Sequence, residues 1–208
     1  MNDPRIAFFD RLSAEWDHSE QDAEKTISRL EQLGDLLRLR QGLDLLEVGC
    51  GTGQLTAWLA ERVAPGRVTA MDFSDGMLGQ ARAKQIDADF RLGDVCVDPL
   101  PAASADLALC FHSFPHFRDQ QAALRNLARA LRPAGRLVVI HLASSAAINA
   151  FHDSVGGEVA GDHLPDESCW NDLLSRNSLR RIAWVDREDM FFLEAERLRD
   201  TETNQTTF

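Results

Sequence analysis

The chain has 208 residues, enough for one α/β domain with a sizeable core, and 44% of them are hydrophobic. No apolar run approaches the roughly 18 residues a membrane span requires, and the opening Met-Asn-Asp-Pro-Arg lacks the pattern of a secretory signal, so a cytoplasmic protein is expected. A net charge of −11, with no block dominated by Lys or Arg, lacks the basic footprint that phosphate backbones demand and excludes nucleic acid as an expected partner.

In chain order, residues 3–17 and 21–38 read as two helices. The second carries Ile27, Leu30, Leu33, Leu36 and Leu37 at helical spacing and is interrupted by Gly34. Together they make an N-terminal helical cap over 1–40. Residues 41–141 then alternate: strand 43–48, helix 53–63, strand 67–71, helix 75–84, strand 88–92, strand 106–111, helix 119–131 and strand 136–141. Alternation of this kind predicts a mostly parallel sheet in an α/β fold, with helices on both faces. Asp106 to Phe111 and Arg136 to Ile140 are nearly continuous apolar runs, the pattern of strands buried on both sides. Between them Pro133 stops a helix and Gly135 supplies the turn into the next strand. Residues 142–200 read as a cap segment and closing strands: a helix over 165–176 with Asn177 in the left-handed conformation at its end, then strands near 180–186 and 190–195. The polar tail 201–208 is expected to fray. A single domain, 1–208, is expected.

The residues with chemical meaning cluster at the strand tips. Leu45-Leu-Glu-Val-Gly-Cys-Gly-Thr-Gly53 is a short apolar strand running into a turn where Gly49, Gly51 and Gly53 let the backbone bend sharply and approach a ligand. The third glycine of a dinucleotide fingerprint would fall at Gln54, which weakens a nicotinamide oxidoreductase as an alternative. Nineteen residues after Gly53 stands Asp72, an acceptor-only carboxylate able to take both hydroxyls of a ribose, and Gly93-Asp94-Val95 closes the third strand. Each piece also has an ordinary explanation: a tight turn, a helix cap at Asp72, a loop at Gly93-Asp94.

After strand 106–111 comes Phe111-His112-Ser113-Phe114-Pro115-His116-Phe117, dense in aromatics and imidazoles. His112 and His116 are candidate bases because imidazole exchanges a proton near neutrality. They also read as ordinary loop residues, one bonded to a loop carbonyl and the other solvated. With His141 they could make a three-imidazole metal site, but Pro115 breaks the helical spacing of the pair and no metal is expected. Cys50, Cys96, Cys110 and Cys169 lack a C-x-x-C pairing and fit reduced thiols.

The string from Leu45 to Gly53, with its acid two residues before the first glycine, resembles the first motif of class I S-adenosylmethionine-dependent methyltransferases. Leu131-Arg-Pro-Ala-Gly-Arg-Leu137 is similar to the family's L-K/R-P-G-G-x-L, with Ala134 in place of one glycine. Over 40–141 the chain is most like the small-molecule branch that includes ubiquinone and menaquinone biosynthesis enzymes. The resemblance implies a doubly wound, seven-stranded Rossmann-like sheet closed by an antiparallel strand pair. It implies S-adenosylmethionine as cofactor, S-adenosylhomocysteine as product, and methyl transfer to a small, apolar or aromatic acceptor by a monomer or homodimer. By the same resemblance Glu47, Gly49, Cys50, Gly51, Gly53, Asp72, Asp94 and Val95 would hold the cofactor. Phe73 and Met77 would pack on its adenine, and Cys110, Phe111 and His112 would line the methyl end. The alternative from another class is a non-catalytic protein that keeps the adenosyl pocket. Phe8, Phe9, Trp16 and His18, with the segment from His141 to Pro165, could wall the acceptor pocket or simply pack as core. Trp16-Asp17 stands where related enzymes carry Tyr-Asp, and the chain has no tyrosine at all.

Overall fold

The computed structural model describes residues 3–18, 23–33 and 35–199. Its helices are α1 (Pro4–Leu12), α2 (Ala23–Gln32), α3 (Thr56–Val63), α4 (Asp75–Ala83), α5 (Gln120–Ala130), α6 (Ser145–Val155) and α7 (Glu167–Ser175). Its strands are β1 (Leu45–Val48), β2 (Val68–Asp72), β3 (Asp89–Leu92), β4 (Ala105–Phe111), β5 (Leu131–His141), β6 (Leu179–Arg187) and β7 (Met190–Arg197). The seven strands are ordered β3-β2-β1-β4-β5-β7-β6 in one mixed sheet. This is the expected Rossmann-like α/β architecture, with parallel pairs β1/β2, β2/β3 and β4/β5 and an antiparallel closing pair. The chain divides at Asp94 into two units, Met1–Asp94 and Val95–Phe208.

In the first unit β1 is buried along its whole length. It pairs with β2 from Leu45↔Val68 to Val48↔Met71, and β2 pairs with β3 from Thr69↔Asp89 to Asp72↔Leu92. Helices α3 and α4 cover β2, sinking Leu59, Val63, Leu78 and Ala81 out of water entirely. Each large aliphatic side chain so buried contributes about 1.5 to 3 kcal/mol. Ser74 caps α4 by accepting the Met77 N–H, as expected of a hydroxyl at a helix start.

In the second unit β4 pairs with β5, and β5 with β7 from Arg136↔Glu196 to His141↔Phe191. Leu107, Leu109, Leu137, Val138 and Leu193 have no exposed surface, which explains the unbroken apolar runs. An Arg136 to Glu194 ion pair at 2.7 Å joins β5 to β7. Trp170 of α7 lies fully buried against Phe114 and Phe191.

Several local expectations are corrected. The first helix ends at Leu12, not at residue 17, because the Ser13 hydroxyl and N–H both turn back to the Asp10 carbonyl and three-residue turns follow to His18. The second helix ends at Gln32. Leu37 is buried outside it, and Arg38 adopts φ 45°. The expected helix residues 21, 22 and 34 and the tail from Thr201 lie outside the described residues. Pairing of β5 starts at Leu131 opposite Ala105 and resumes at Arg136 opposite Leu107, with Ala134 at φ 63° in the excursion between. At the end of α7 the left-handed residue is Ser178 rather than Asn177, whose amide instead donates to the Leu173 carbonyl. Helix α6 was not anticipated; its signal is Ser144, whose hydroxyl accepts the Ala147 N–H, ahead of an alanine-rich run stopped by Gly156.

Candidate functional site

In the first unit the glycine turn leaves β1 with Gly49, Gly51 and Gly53 at φ 76°, 54° and 77°, a backbone that L side chains rarely adopt. The Gly49 and Cys50 N–H groups both point to the Met71 carbonyl, at 2.7 and 3.1 Å. Gly53 packs so closely on α4 that an added Cβ would come within 3.2 Å of Ala81. Asp72 Oδ2 accepts the Gly51 N–H at 2.8 Å, and Oδ1 accepts the Ser74 N–H at 2.9 Å. The ordinary explanation of Asp72 as the helix cap does not hold, since Ser74 fills that place. Each carboxylate oxygen carries two lone pairs, so one group can both brace the turn and accept from a sugar hydroxyl. The Gly93 N–H donates to the Asp72 carbonyl at 2.9 Å, which brings the Gly93-Asp94 tip beside Asp72 within this unit. The glycine turn, Asp72 and the Gly93-Asp94 tip therefore share one strand-tip edge, an arrangement that fits an adenosyl group.

Glu47 lies beneath this edge, fully buried, and accepts the Thr56 hydroxyl at 2.6 Å. Burial pushes its carboxyl up to about 8, against the Thr56 hydrogen bond and with help from the Asp72 charge. Cys50, buried beside both acids, has its thiol pushed well above the ordinary range, first by burial and then by Glu47 and Asp72, which fits a filler and not a nucleophile.

Two acids absent from the sequence-based site hold the N-terminal segment to this edge. Asp10 accepts from the Ser74 hydroxyl at 2.6 Å and the Gly76 N–H at 3.0 Å. Asp17 accepts from Thr52 at 2.5 Å and Gln54 at 2.9 Å and pairs with Lys84 at 2.6 Å. Burial raises the Asp17 carboxyl, but Lys84 and the hydrogen bonds outweigh it and hold the group below its usual range. Phe73 meets Phe9 at 5.7 Å between ring centroids, and the Trp16 indole nitrogen faces Gly51. Met77 is buried.

In the second unit Val95 and Cys110 are buried, and burial drives the Cys110 thiol up as well. His112 follows Phe111 at the tip of β4 with φ 53°, a strained conformation of the kind that gathers at functional sites. Its Nε2 accepts the Leu142 N–H at 3.2 Å, and its ring lies 5.0 Å from that of His141. His116 Nδ1 sits 2.8 Å from Asp162 Oδ2, and its ring lies 4.8 Å from that of His152. Both histidines are partly buried and hydrogen-bonded, where the ordinary explanation had one bonded to a loop carbonyl and the other solvated. His141 is fully buried, and neither of its nitrogens has a hydrogen-bond partner among the described residues. Burial first, and then His112, His116 and His152, hold it well below its ordinary value. Among the described residues no three His, Cys, Asp or Glu side chains converge as a metal set, so the three-imidazole arrangement is not formed there. Asp162 and His152 were missed from the sequence because nothing in local spacing links them to His116.

A methyltransferase domain model matches residues 46–139. Nocamycin O-methyltransferase of Saccharothrix syringae is 36% identical over 135 residues, covering 62% of this chain and 48% of that protein. Demethylmenaquinone methyltransferase of Listeria monocytogenes is 33% identical over 111 residues, covering 50% and 47%. The matched part of the chain thus spans about half the length of these curated relatives. A solved S-adenosylmethionine-dependent methyltransferase from Aquifex aeolicus shares the fold with a TM-score of 0.66 at 20% identity, covering 95% of this chain and all of that one. Over residues 46–139 the chain is thus similar in sequence to methyltransferases, and it shares the fold of a solved S-adenosylmethionine-dependent one.

Proposed function

We propose that the chain transfers a methyl group from S-adenosylmethionine to a small, apolar or aromatic acceptor. The observation that carries this is the bond from the Gly51 N–H to the Asp72 carboxylate, which ties the glycine turn and the ribose acid into one preformed edge. Glu47, Gly49, Cys50, Gly51, Gly53, Asp72, Asp94 and Val95 are the proposed cofactor residues, with Phe73, Met77, Cys110 and Phe111 lining its adenine and methyl ends. S-adenosylmethionine supplies an activated methyl on a sulfonium. The protein's work is to hold the acceptor atom in line with that carbon and to exclude water. His112 and His116 are proposed to face the acceptor. Relatives named for nocamycin and demethylmenaquinone support a small-molecule acceptor, and the acidic charge argues against nucleic acid. No helix among the described residues is long and apolar enough to cross a membrane; action in the cytoplasm, as a monomer or homodimer, is part of the proposal.

Calorimetry with S-adenosylmethionine and S-adenosylhomocysteine, in the presence and absence of excess NAD, tests the cofactor. Tight binding that NAD does not displace is expected, and displacement by NAD overturns it. Formation of S-adenosylhomocysteine with a panel of quinols and phenols then separates an enzyme from a binding protein.

A further inference from the structure

The acid expected to receive the ribose is held by two backbone donors, and each of those donors is backed by a further acid. Asp72 accepts the Gly51 N–H and the Ser74 N–H. Thr52, the residue after Gly51, donates its hydroxyl to Asp17, and Ser74 donates its own hydroxyl to Asp10. Asp10 takes the Gly76 N–H on the same oxygen, while Asp17 adds the Gln54 amide and the Lys84 ammonium. Every one of these residues lies in the first unit.

Residues 10–17 therefore form a strap along α4. One end is fastened at the capping Ser74 and the other at Lys84, the C-terminal cap of the same helix, roughly 13 Å away at 1.5 Å of rise per residue. The fit at the first end is tight: a Cβ added to Gly76 would lie 2.9 Å from Ser13 Oγ and 3.1 Å from the Asp10 Cα. At the second end Thr52 has almost no exposed surface, so water competes little for its hydroxyl. Gly51 needs this bracing most, because a glycine backbone loses more freedom on ordering than that of any other residue.

We infer that Asp10 and Asp17 are positioning residues for cofactor binding. Neither needs to touch the ligand. Asp17 fixes Gly51 through Thr52, Asp10 fixes Ser74, and the two N–H groups fix the Asp72 carboxylate in the orientation that takes the ribose hydroxyls. A carboxylate ordered beforehand binds more tightly than one the ligand must order. Affinity thus follows the strap through Asp72, whatever the strap adds to the stability of the fold. This assignment deepens the methyl-transfer reading and rests on its cofactor site.

Calorimetry with S-adenosylhomocysteine on the full chain reads the effect on affinity. Asp10→Ala and Asp17→Ala are each expected to weaken binding about tenfold. Asp10→Asn keeps an accepting oxygen for Ser74 and Gly76 and is expected to stay within about threefold of wild type; a loss as large as that of Asp10→Ala overturns the role. Gly76→Ala keeps both acids and suits a helix better than glycine, yet it is expected to weaken binding as Asp10→Ala does, by pushing the strap away. Combined with Asp72→Ala, either strap substitution is expected to add no more than about a twofold loss. Unchanged affinity in the single variants, or losses that add in full to that of Asp72→Ala, overturn the inference. Amide hydrogen exchange followed by NMR on the ligand-free chain is the second arm. The Gly51 amide is expected to exchange about tenfold faster in Asp17→Ala, and the Ser74 amide about tenfold faster in Asp10→Ala, while the amides of β1 and β2 keep their protection. Unchanged exchange at either amide, or faster exchange throughout the sheet, overturns it. Should an alanine variant of the acids not fold, Gly76→Ala decides by the same readouts at Ser74. The exchange measurement needs no ligand, while binding of S-adenosylmethionine to the wild-type chain tests the cofactor reading alone, so the two can fail separately.

Discussion

Asp72 and Gly51, 21 residues apart in the chain, are joined by a 2.8 Å hydrogen bond from the Gly51 N–H to Asp72 Oδ2. The acid expected to receive the ribose is also what holds the glycine turn open. Its removal should therefore act twice, on ligand contact and on preorganisation. Asp72→Ala is expected to weaken S-adenosylmethionine binding by about 1.5 to 3 kcal/mol, roughly 10- to 150-fold in Kd. Unchanged affinity by calorimetry would remove Asp72 from the site.

Glu47 makes a prediction about pH. Its folded carboxyl titrates at about 8 against an ordinary 4.5, because it is buried. Between those values the folded chain keeps a proton that the unfolded chain has lost, so stability falls as pH rises through that window. Glu47→Gln still accepts from Thr56 and cannot ionise. Its stability relative to wild type should rise from about pH 5 to about pH 8 and then level off, as read from urea midpoints. Parallel curves for the two proteins would mean that Glu47 is not titrating in the fold.

His141 works in the opposite direction. Burial depresses its titration well below 6.5, so the unfolded chain takes up a proton that the fold refuses. Its contribution is present above 6.5 and is lost as pH falls. His141→Phe is expected to move the acid unfolding midpoint to lower pH by circular dichroism; an unmoved midpoint would count against a neutral buried imidazole.

Ala134 occupies φ 63° where the family string has glycine. A left-handed alanine costs about 1 to 2 kcal/mol, offset in part by the extra unfolded-state freedom of glycine. Ala134→Gly should raise stability by up to about 1 kcal/mol, or about 2 to 4 °C in Tm for a chain of this size. A lower Tm would show that the excursion tolerates alanine without strain.

Much of the fold was legible. The apolar runs of β1, β4 and β5, the glycines after β1 and the proline–glycine stop before β5 are local signals, and local backbone preference was enough to read them. Helix ends were less legible, because the stop at Leu12 depends on a single serine folding back on Asp10. At the site, the order of glycine turn, Asp72 and Asp94 could be read because each sits at a strand tip. The latch of Asp17 on Thr52, Gln54 and Lys84 could not, since its partners lie 35, 37 and 67 residues away.

By itself the sequence determined the alternating α/β plan, the glycine turn and the acids that follow it, because φ preferences and apolar periodicity act over a few residues. Only the tertiary structure decided which nitrogen of His112 faces a donor and which nitrogen of His116 faces an acceptor. That depends on Leu142 and Asp162, 30 and 46 residues from the rings they touch, and a tautomer is chosen by whichever donor or acceptor packing brings within 3 Å or so.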